Sequence, residues 1–487
     1  MNHIQLRSVT ALACATLAVS SAACNRAAPV KPDLVASWVR TWYGATRVER
    51  LSPPVASRAI AYAATALYVG MASVDTTMPA LDGTLQGVPG LPRTARPSDH
   101  DATIAAVAAE RVVLDTMWNE ALPTTRAAFA RLADSLVADR VAQGVSDNVR
   151  ARSDSLGTSV GLAIVAWANS DGFVATRGRP YPPPEGRGVW YNDAPANIYA
   201  TQNLSGASEY VALDNPANQQ RSGNTSDRGL ILSRPKNSKL LPAANMSGAT
   251  EPFWREVRTF VLKNWQQCPV AVPPQYSEDS TSAIFKNAQS VFDAQLALTD
   301  EQRTIAYYWA DNAGETGTPS GHWLAIASQM ISERQLDGAT AARIVLATAV
   351  AQADAFIAAW GYKYRDVVIR PRTYIRRVID PKWEPLIPTP PFPEHPAGHS
   401  TQSAAVATVL TAFLGARPFT DSTSIAIGHQ VRRFANFTAA AHEAGQSRIY
   451  GGIHFPSGNI GGRDLGTCIG AATAAAFHAK LINPVRQ

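Results

Sequence analysis

Residues 338–371 read GATAARIVLATAVAQADAFIAAWGYKYRDVVIRP, and this stretch decides the architecture. Apolar residues recur at three- and four-residue spacing, the spacing of one helix face. Asp337-Gly338 supplies a start signal, so the pattern predicts a helix over 338–363 that Lys363 closes. The β-branched run Val367-Val368-Ile369 then leads to Arg370-Pro371. A residue before proline is driven to extended backbone, so Arg370 is expected off the helical face.

Working outward, the same Ala-rich texture predicts helices over 33–47, 54–73, 101–118, 124–143, 148–169, 279–297, 299–311, 320–334, 399–414, 424–444 and 461–480. Ser52-Pro53-Pro54 places prolines at the start of one of them. Alternating strands are scarce, so the expected class is all-α, helix packed on helix. Between about 170 and 275 the chain turns to Gly, Pro, Asn and Ser, most plainly at Arg177-Gly178-Arg179-Pro180-Tyr181-Pro182-Pro183-Pro184. A long irregular insertion inside a compact protein usually walls or covers a site. The chain therefore divides into an N-terminal helical half (24–170), an irregular excursion (171–278) and a C-terminal helical domain (279–487). A second Pro-rich passage runs from Pro381 to Pro396.

The 487 residues are 46% hydrophobic and 17% charged, which suits a folded globular chain and not a disordered one. The net charge of +6 comes from scattered arginines without a basic run, so nucleic acid is not an expected partner while a small anion is. Arg7, the uncharged run Val9 to Val19 and the small residues Ser21-Ala22-Ala23 read as a signal peptide over 1–23. The expected location is therefore outside the cytoplasm, either periplasmic or anchored to the envelope by a lipid on Cys24. Lipidation and ordinary cleavage both stay open, because Ser21 stands where the lipoprotein pattern prefers Leu. No apolar stretch after Val19 is expected to reach the ~20 residues that span a bilayer, which leaves that lipid as the membrane contact. Cys14 leaves with the signal, and Cys268 and Cys468 are either a disulfide or two free thiols.

Three segments carry the chemistry: Lys363 to Pro371, Pro396-Ala397-Gly398-His399, and Ser447-Arg448-Ile449-Tyr450-Gly451-Gly452-Ile453-His454. Together they offer three cations and two imidazoles close to element ends and Gly/Pro turns, a set suited to a tetrahedral oxyanion. Arg forks make bidentate contacts to anion oxygens and Lys adds a point charge. Gly398-His399 opens a helix, so free amides and the positive dipole end face the anion, and a histidine there is able to trade a proton near neutral pH. His454, after a Gly-Gly turn, is free to aim a ring nitrogen at the anion's central atom.

In this order and spacing the segments resemble the three-part motif of the vanadium haloperoxidases and the related acid phosphatases and type-2 phosphatidic acid phosphatases: Lys, six residues, Arg-Pro; then Pro-Ser-Gly-His; then Ser-Arg, five residues, His. The resemblance covers roughly residues 280–480 and implies a helical-bundle fold of the haloperoxidase/acid phosphatase type. It implies that Lys363, Arg370, Arg448 and the Gly398 amide hold the oxyanion and that His399 is the acid–base residue. His454 would be the axial ligand of vanadium in vanadate, or the nucleophile of a phosphatase. Trp360 and Phe392 resemble the site aromatics of the chloroperoxidases. The implied function is halide oxidation by hydrogen peroxide with vanadate as cofactor. The alternative is a periplasmic phosphomonoesterase without cofactor that takes a phosphate ester in the same pocket.

Two departures stand out. Ala397 replaces the serine of the middle motif, a lost donor worth about 1–3 kcal/mol if nothing replaces it. Gly458 stands where many relatives place an aspartate that orients the histidine, which leaves the partner of His454 unidentified. Elsewhere, Pro319-Ser320-Gly321-His322 repeats the middle motif letter by letter but reads as a helix start with Trp323 facing the core. Asp311 reads as a helix-ending aspartate, with pairing to a site arginine as the other outcome, and His429 and His442 read as ordinary helix histidines. Pro396 and Gly398 argue against a helical zinc pair at His395 and His399.

Overall fold

The 338–371 stretch becomes the axis of the molecule. The computed structural model describes residues 32–177, 179–182, 185–192 and 249–482; the expected signal peptide, Cys24 and the middle of the irregular excursion lie outside the described residues. The N-terminal half holds α1 (Pro32–Glu49), α2 (Pro53–Ala72), α3 (Ala102–Met117), α4 (Pro123–Ala142), α5 (Asp147–Asn169) and the single turn α6 (Phe173–Thr176). The C-terminal half holds α7 (Ala283–Leu296), α8 (Asp300–Tyr308), α9 (Thr318–Glu333), α10 (Gly338–Asp366) and α11 (Pro371–Val378). It continues through α12 (Gly398–Leu414), α13 (Phe437–Tyr450) and α14 (Pro456–Ala476). The chain is thus all-α, as its pattern predicts. Caps set the ends: Asp337 accepts from the Thr340 amide, Ser146 from Val149, and prolines open α2, α4 and α14.

Every residue of α10 from Ile344 to Tyr364 is buried. It packs on α2 on one side and on α12 and α14 on the other, and so joins the two halves. Small residues make such crowding tolerable. A Cβ on Gly466 or Gly470 of α14 would lie 2.0 and 2.4 Å from the carbonyl oxygens of Thr401 and Ala405 on α12, so glycine sets how near those two helices come. Asp354, buried within α10, accepts the amides of Phe260, Val261 and Leu262 at 2.6, 2.8 and 2.9 Å. Burial pushes its carboxyl up to about 6 while those amides oppose the rise. One carboxylate thereby pins the end of the irregular excursion to the central helix.

Four expectations are corrected. The segment 424–444 is not one helix: an antiparallel hairpin of β1 (Phe419–Asp421) and β2 (Arg432–Phe434) comes first, and α13 begins only at Phe437. Gly428 at φ +91° turns the chain there, and the rings of Phe434 and Phe437 both pack on Phe419. The α8 helix stops at Tyr308, short of Asp311. An additional helix, α11, starts directly at Pro371. Finally, two helices, Pro53–Ala72 and Gly338–Asp366, are long and apolar enough to cross a membrane, and both are wholly buried against protein in the tested window. All-round apolarity here reflects packing among helices.

Cys268 and Cys468 form a disulfide with Cα atoms 5.8 Å apart, which decides between the two outcomes the sequence left open. It ties the irregular chain to α14 across a separation of 200 residues. Closing so long a loop restricts the unfolded chain, so Cys468→Ala is expected to lower the unfolding free energy by about 2–5 kcal/mol. Thermal midpoints of the two proteins measured without reductant test this, and coincident midpoints would refute it.

Candidate active site

The way α10 ends places the first two cations. Val367 takes φ +44° and its amide returns to the Lys363 carbonyl, a left-handed stop that is strained for a β-branched residue. The reversal is held by the Trp190 amide on the Val367 carbonyl and the Glu394 amide on the Val368 carbonyl. Arg370 follows in extended conformation as the N-cap of α11, as the proline after it dictates. Lys363 and Arg370 are both fully buried. The Lys363 ammonium donates to the carbonyls of Pro393 and Glu394 at 2.9 and 3.0 Å, and Arg370 donates to those of Phe392 and Ile453, both at 2.8 Å. The Phe392 ring lies between them, 5.0 Å from Lys363 Nζ and 4.8 Å from the Arg370 guanidinium carbon, and packs on Trp360 at 4.8 Å.

Ala397 is the N-cap of α12 and supplies no side-chain cap, so the first-turn amides, Gly398 among them, keep the donors that a helix start leaves without internal partners. A Cβ on Gly398 would sit 3.4 Å from Trp360 Cζ3. His399 lies beside it; the residue as a whole is half-buried, yet its Nε2 is out of solvent and without a hydrogen-bond partner. Burial, then the charge of Arg448, pushes this imidazole well below the usual histidine range, while the carbonyl of Trp309 takes a hydrogen bond from its ring. The third segment ends α13: Arg448 donates to Ser447 Oγ at 3.0 Å and to the Trp309 carbonyl at 2.5 Å. Gly452 at φ +75° then turns the chain against Pro385 and Trp383, and His454 follows.

His454 Nε2 faces Arg370 Nη1 at 3.1 Å, while its Nδ1 lies 2.8 Å from Glu394 Oε1. A carboxylate oxygen accepts, so Nδ1 carries the hydrogen and Nε2 the lone pair. Burial, then Arg370 and the other site cations, keeps this ring neutral by pushing it well below the usual range. Glu394 is the residue sequence reasoning missed. Its Oε1 also accepts the Phe455 amide at 3.0 Å, and a Cβ on Gly458 would lie 2.1 Å from that same oxygen. The glycine that looked like a loss makes the room in which a carboxylate from another segment does the orienting. Burial pushes Glu394 up and Lys363 down, whereas Arg448, lowered by burial to about 10, remains cationic at neutral pH.

A cavity of about 60 Å³ opens onto His399, Arg448 and Phe392, walled by Pro53, Pro388, Pro390, Pro391 and Thr250. Both Pro-rich passage and excursion thus contribute to the wall. Asp311 also lines it. It does not end a helix: it sits three residues past α8 at φ +47°, and its carboxylate meets His322 Nδ1 at 3.1 Å from each oxygen. Asp421 of β1 meets the other nitrogen at 3.0 Å. The segment at Pro319 does start α9, with Trp323 fully buried, but His322 bonds to Asp311 of the cavity wall. His442 is an exposed helix residue, and His429 packs on the Tyr308 ring from the hairpin. His395 precedes α12 and shares no helix face with His399.

The family pattern of the VCPO second helical-bundle domain matches residues 378–483. No curated protein matches the chain. Among solved structures, a bacterial vanadium-dependent iodoperoxidase superposes with a TM-score of 0.76 at 28% identity, over 94% of this chain and 99% of that one. The chain is similar to the vanadium haloperoxidases in its overall fold and in its C-terminal helical bundle. A bacterial vanadium-dependent chloroperoxidase shares the fold in its holo form (TM-score 0.60, 15% identity, 88% and 93% coverage) and its apo form (0.59, 15%, 87% and 93%). Within this shared fold the structure brings together Lys363, Arg370, Gly398, His399, Arg448 and His454, with Trp360, Phe392 and Ala397 around them.

Two measurements probe the arrangement. Gly458→Ala must push Glu394 off His454 and the Phe455 amide, so it is expected to cost roughly 2–4 kcal/mol. Gly398→Ala, which meets only an ordinary contact, should cost under about 1 kcal/mol; equal costs in chemical denaturation would contradict the Glu394 geometry. For His322, burial opposes the charge but Asp311 and Asp421 outweigh it and raise the ring to about 10. A raised folded value stabilises fully below the unfolded value near 6.5 and fades as pH rises through about 10. Wild-type stability should therefore fall between pH 7 and 10 by more than that of His322→Gln, and parallel curves would count against a charged His322.

Proposed function

We propose that this chain is a vanadate-dependent haloperoxidase that oxidises halide with hydrogen peroxide, with iodide the first halide to try. The reaction balances as halide, peroxide and one proton giving hypohalous acid and water. The observation that carries the proposal is the set of buried cationic donors, held by carbonyl and hydroxyl oxygens, around one neutral histidine nitrogen. Among the described residues Lys363 and Arg448 donate to carbonyl or hydroxyl oxygens and form no ion pair. Such donors suit an oxyanion, and His454 Nε2 suits its central atom. When bound there, vanadate would supply an electrophilic centre that takes up peroxide and makes it reactive towards halide.

The chain's own residues do the rest. Lys363, Arg370, Arg448 and the Gly398 amide would hold the anion's oxygens and draw charge from them. The Glu394 carboxylate keeps the lone pair of His454 on Nε2. His399 lines the cavity, and its unpartnered Nε2 would take and return the proton that the balance requires. The cavity of about 60 Å³ beside His399 and Arg448 has room for reactants of water size such as peroxide and halide. The likeness to an iodoperoxidase over 94% of the chain is the ground for choosing iodide. On the same reading the enzyme works after export, in the periplasm or tethered to the envelope, where conditions allow the Cys268–Cys468 bond.

Purified protein assayed with and without vanadate tests this, with iodide and peroxide in one arm and a chromogenic phosphate monoester in the other. Vanadate-dependent iodide oxidation, inhibited by excess phosphate and lost in His454→Ala together with calorimetric vanadate binding, is the expected result. Ester hydrolysis in vanadate-free protein, with no halide oxidation after loading, would replace this reading with the phosphatase one.

A further inference from the structure

Among the groups that the proposed chemistry does not use, one buried cluster stands next to the anion site. His322, Asp311 and Asp421 are 2%, 5% and 0% exposed. A neutral imidazole has a single N–H, yet each nitrogen of His322 meets a carboxylate, at 3.1 Å on the Asp311 side and 3.0 Å on the Asp421 side. Two carboxylates on one ring need two ring hydrogens, so the geometry makes His322 an imidazolium; a ring raised to about 10 agrees with this. Asp421 is otherwise satisfied, since its second oxygen accepts the Thr423 amide and hydroxyl at 2.9 and 2.7 Å. The bond to His322 is what occupies the Asp311 carboxylate.

Asp311 shares the cavity wall with His399 and Arg448, and its negative charge is felt by Arg448. An aspartate so placed is a natural partner for that guanidinium. In the structure it turns to His322, and Arg448 is left with the Ser447 hydroxyl and the carbonyls of Trp309 and Ala306. The Trp309 side chain closes the arrangement. Its indole stacks on the His322 ring at 4.7 Å and 25° and donates to Glu443 at 3.0 Å.

We propose that His322 is a positioning residue of the anion site: as an imidazolium shared with Asp421 it sequesters Asp311, so that Arg448 stays available to a bound oxyanion. The second Pro-Ser-Gly-His segment is thus part of the pocket's electrostatics while touching neither anion nor substrate. Removing the ring charge releases Asp311 to pair with Arg448 and to repel an incoming anion. Removing the aspartate charge as well leaves nothing to sequester.

The inference rests on the anion-site reading above, and a two-step series separates the two. Holoprotein and apoprotein of wild type, His322→Gln and the double variant Asp311→Asn/His322→Gln are compared by calorimetric vanadate titration and by KM and kcat for iodide. His322→Gln is expected to weaken vanadate by about tenfold or more, and the double variant to regain most of that loss. A double variant as weak as the single one, with both folded by thermal melt, would show that His322 packs the wall and does not govern Arg448. Should His322→Gln fail to fold, the ¹⁵N spectrum of wild type at pH 8 decides: two protonated ring nitrogens on His322 support the proposal, and a neutral ring overturns it. If wild type binds no vanadate, the cofactor reading falls, and the same series read with inorganic phosphate still tests the role of His322.

Discussion

Helix α10 has no solvent face between Ile344 and Tyr364, and the rest of the chain is arranged to cover it. A helix apolar all round must be surrounded, and at roughly 1.5 Å per residue a helix of 29 residues needs partners along its whole length. The N-terminal half provides α2 on one side and the C-terminal half provides α12 and α14 on the other. Glycines at Gly466 and Gly470 let the covering helices close on one another without gaps. The helix also delivers Trp360 and Lys363 to the site at its buried end, so the same element that joins the halves sets the first wall of the pocket.

That burial creates an electrostatic difficulty which the fold solves in two ways. Lys363, Arg370 and Arg448 are removed from water close to one another, and their mutual repulsion adds to the cost of burial. Backbone carbonyls of residues 392–394, Ile453 and Trp309 meet their N–H groups and stabilise the charges without neutralising them. The nearby carboxylates are engaged elsewhere, Glu394 by His454 and Asp311 by His322. Positive charge is therefore held beside two imidazoles, His399 and His454, that burial and the same cations push towards the neutral form.

The departures from the family motif look different once the chain is folded. Gly458 is the space into which the Glu394 carboxylate fits, so a carboxylate still meets the histidine although it comes from a segment 60 residues away. Ala397 forgoes a side-chain cap on α12 and leaves the first-turn amides without that partner.

What the sequence by itself determined is local or periodic. Most of the helices, the extended Arg370 before its proline and the helix opening at Gly398 follow from dihedral preferences acting over a few residues, whereas α10 runs three residues past the Lys363 end that the pattern suggests. The order of the three motif segments marked Lys363, Arg370, His399, Arg448 and His454 as one set, because spacing along the chain is directly readable. The hairpin at 419–434 was missed, since three phenylalanines packing on one another override an Ala-rich helical pattern only in three dimensions. Only the tertiary structure decided that Glu394 belongs to His454, that Asp311 belongs to His322, and that Cys268 meets Cys468. Each joins groups on separate segments, and such pairs are set by where the packed helices bring side chains within about 3 Å, a distance on which sequence spacing carries no information.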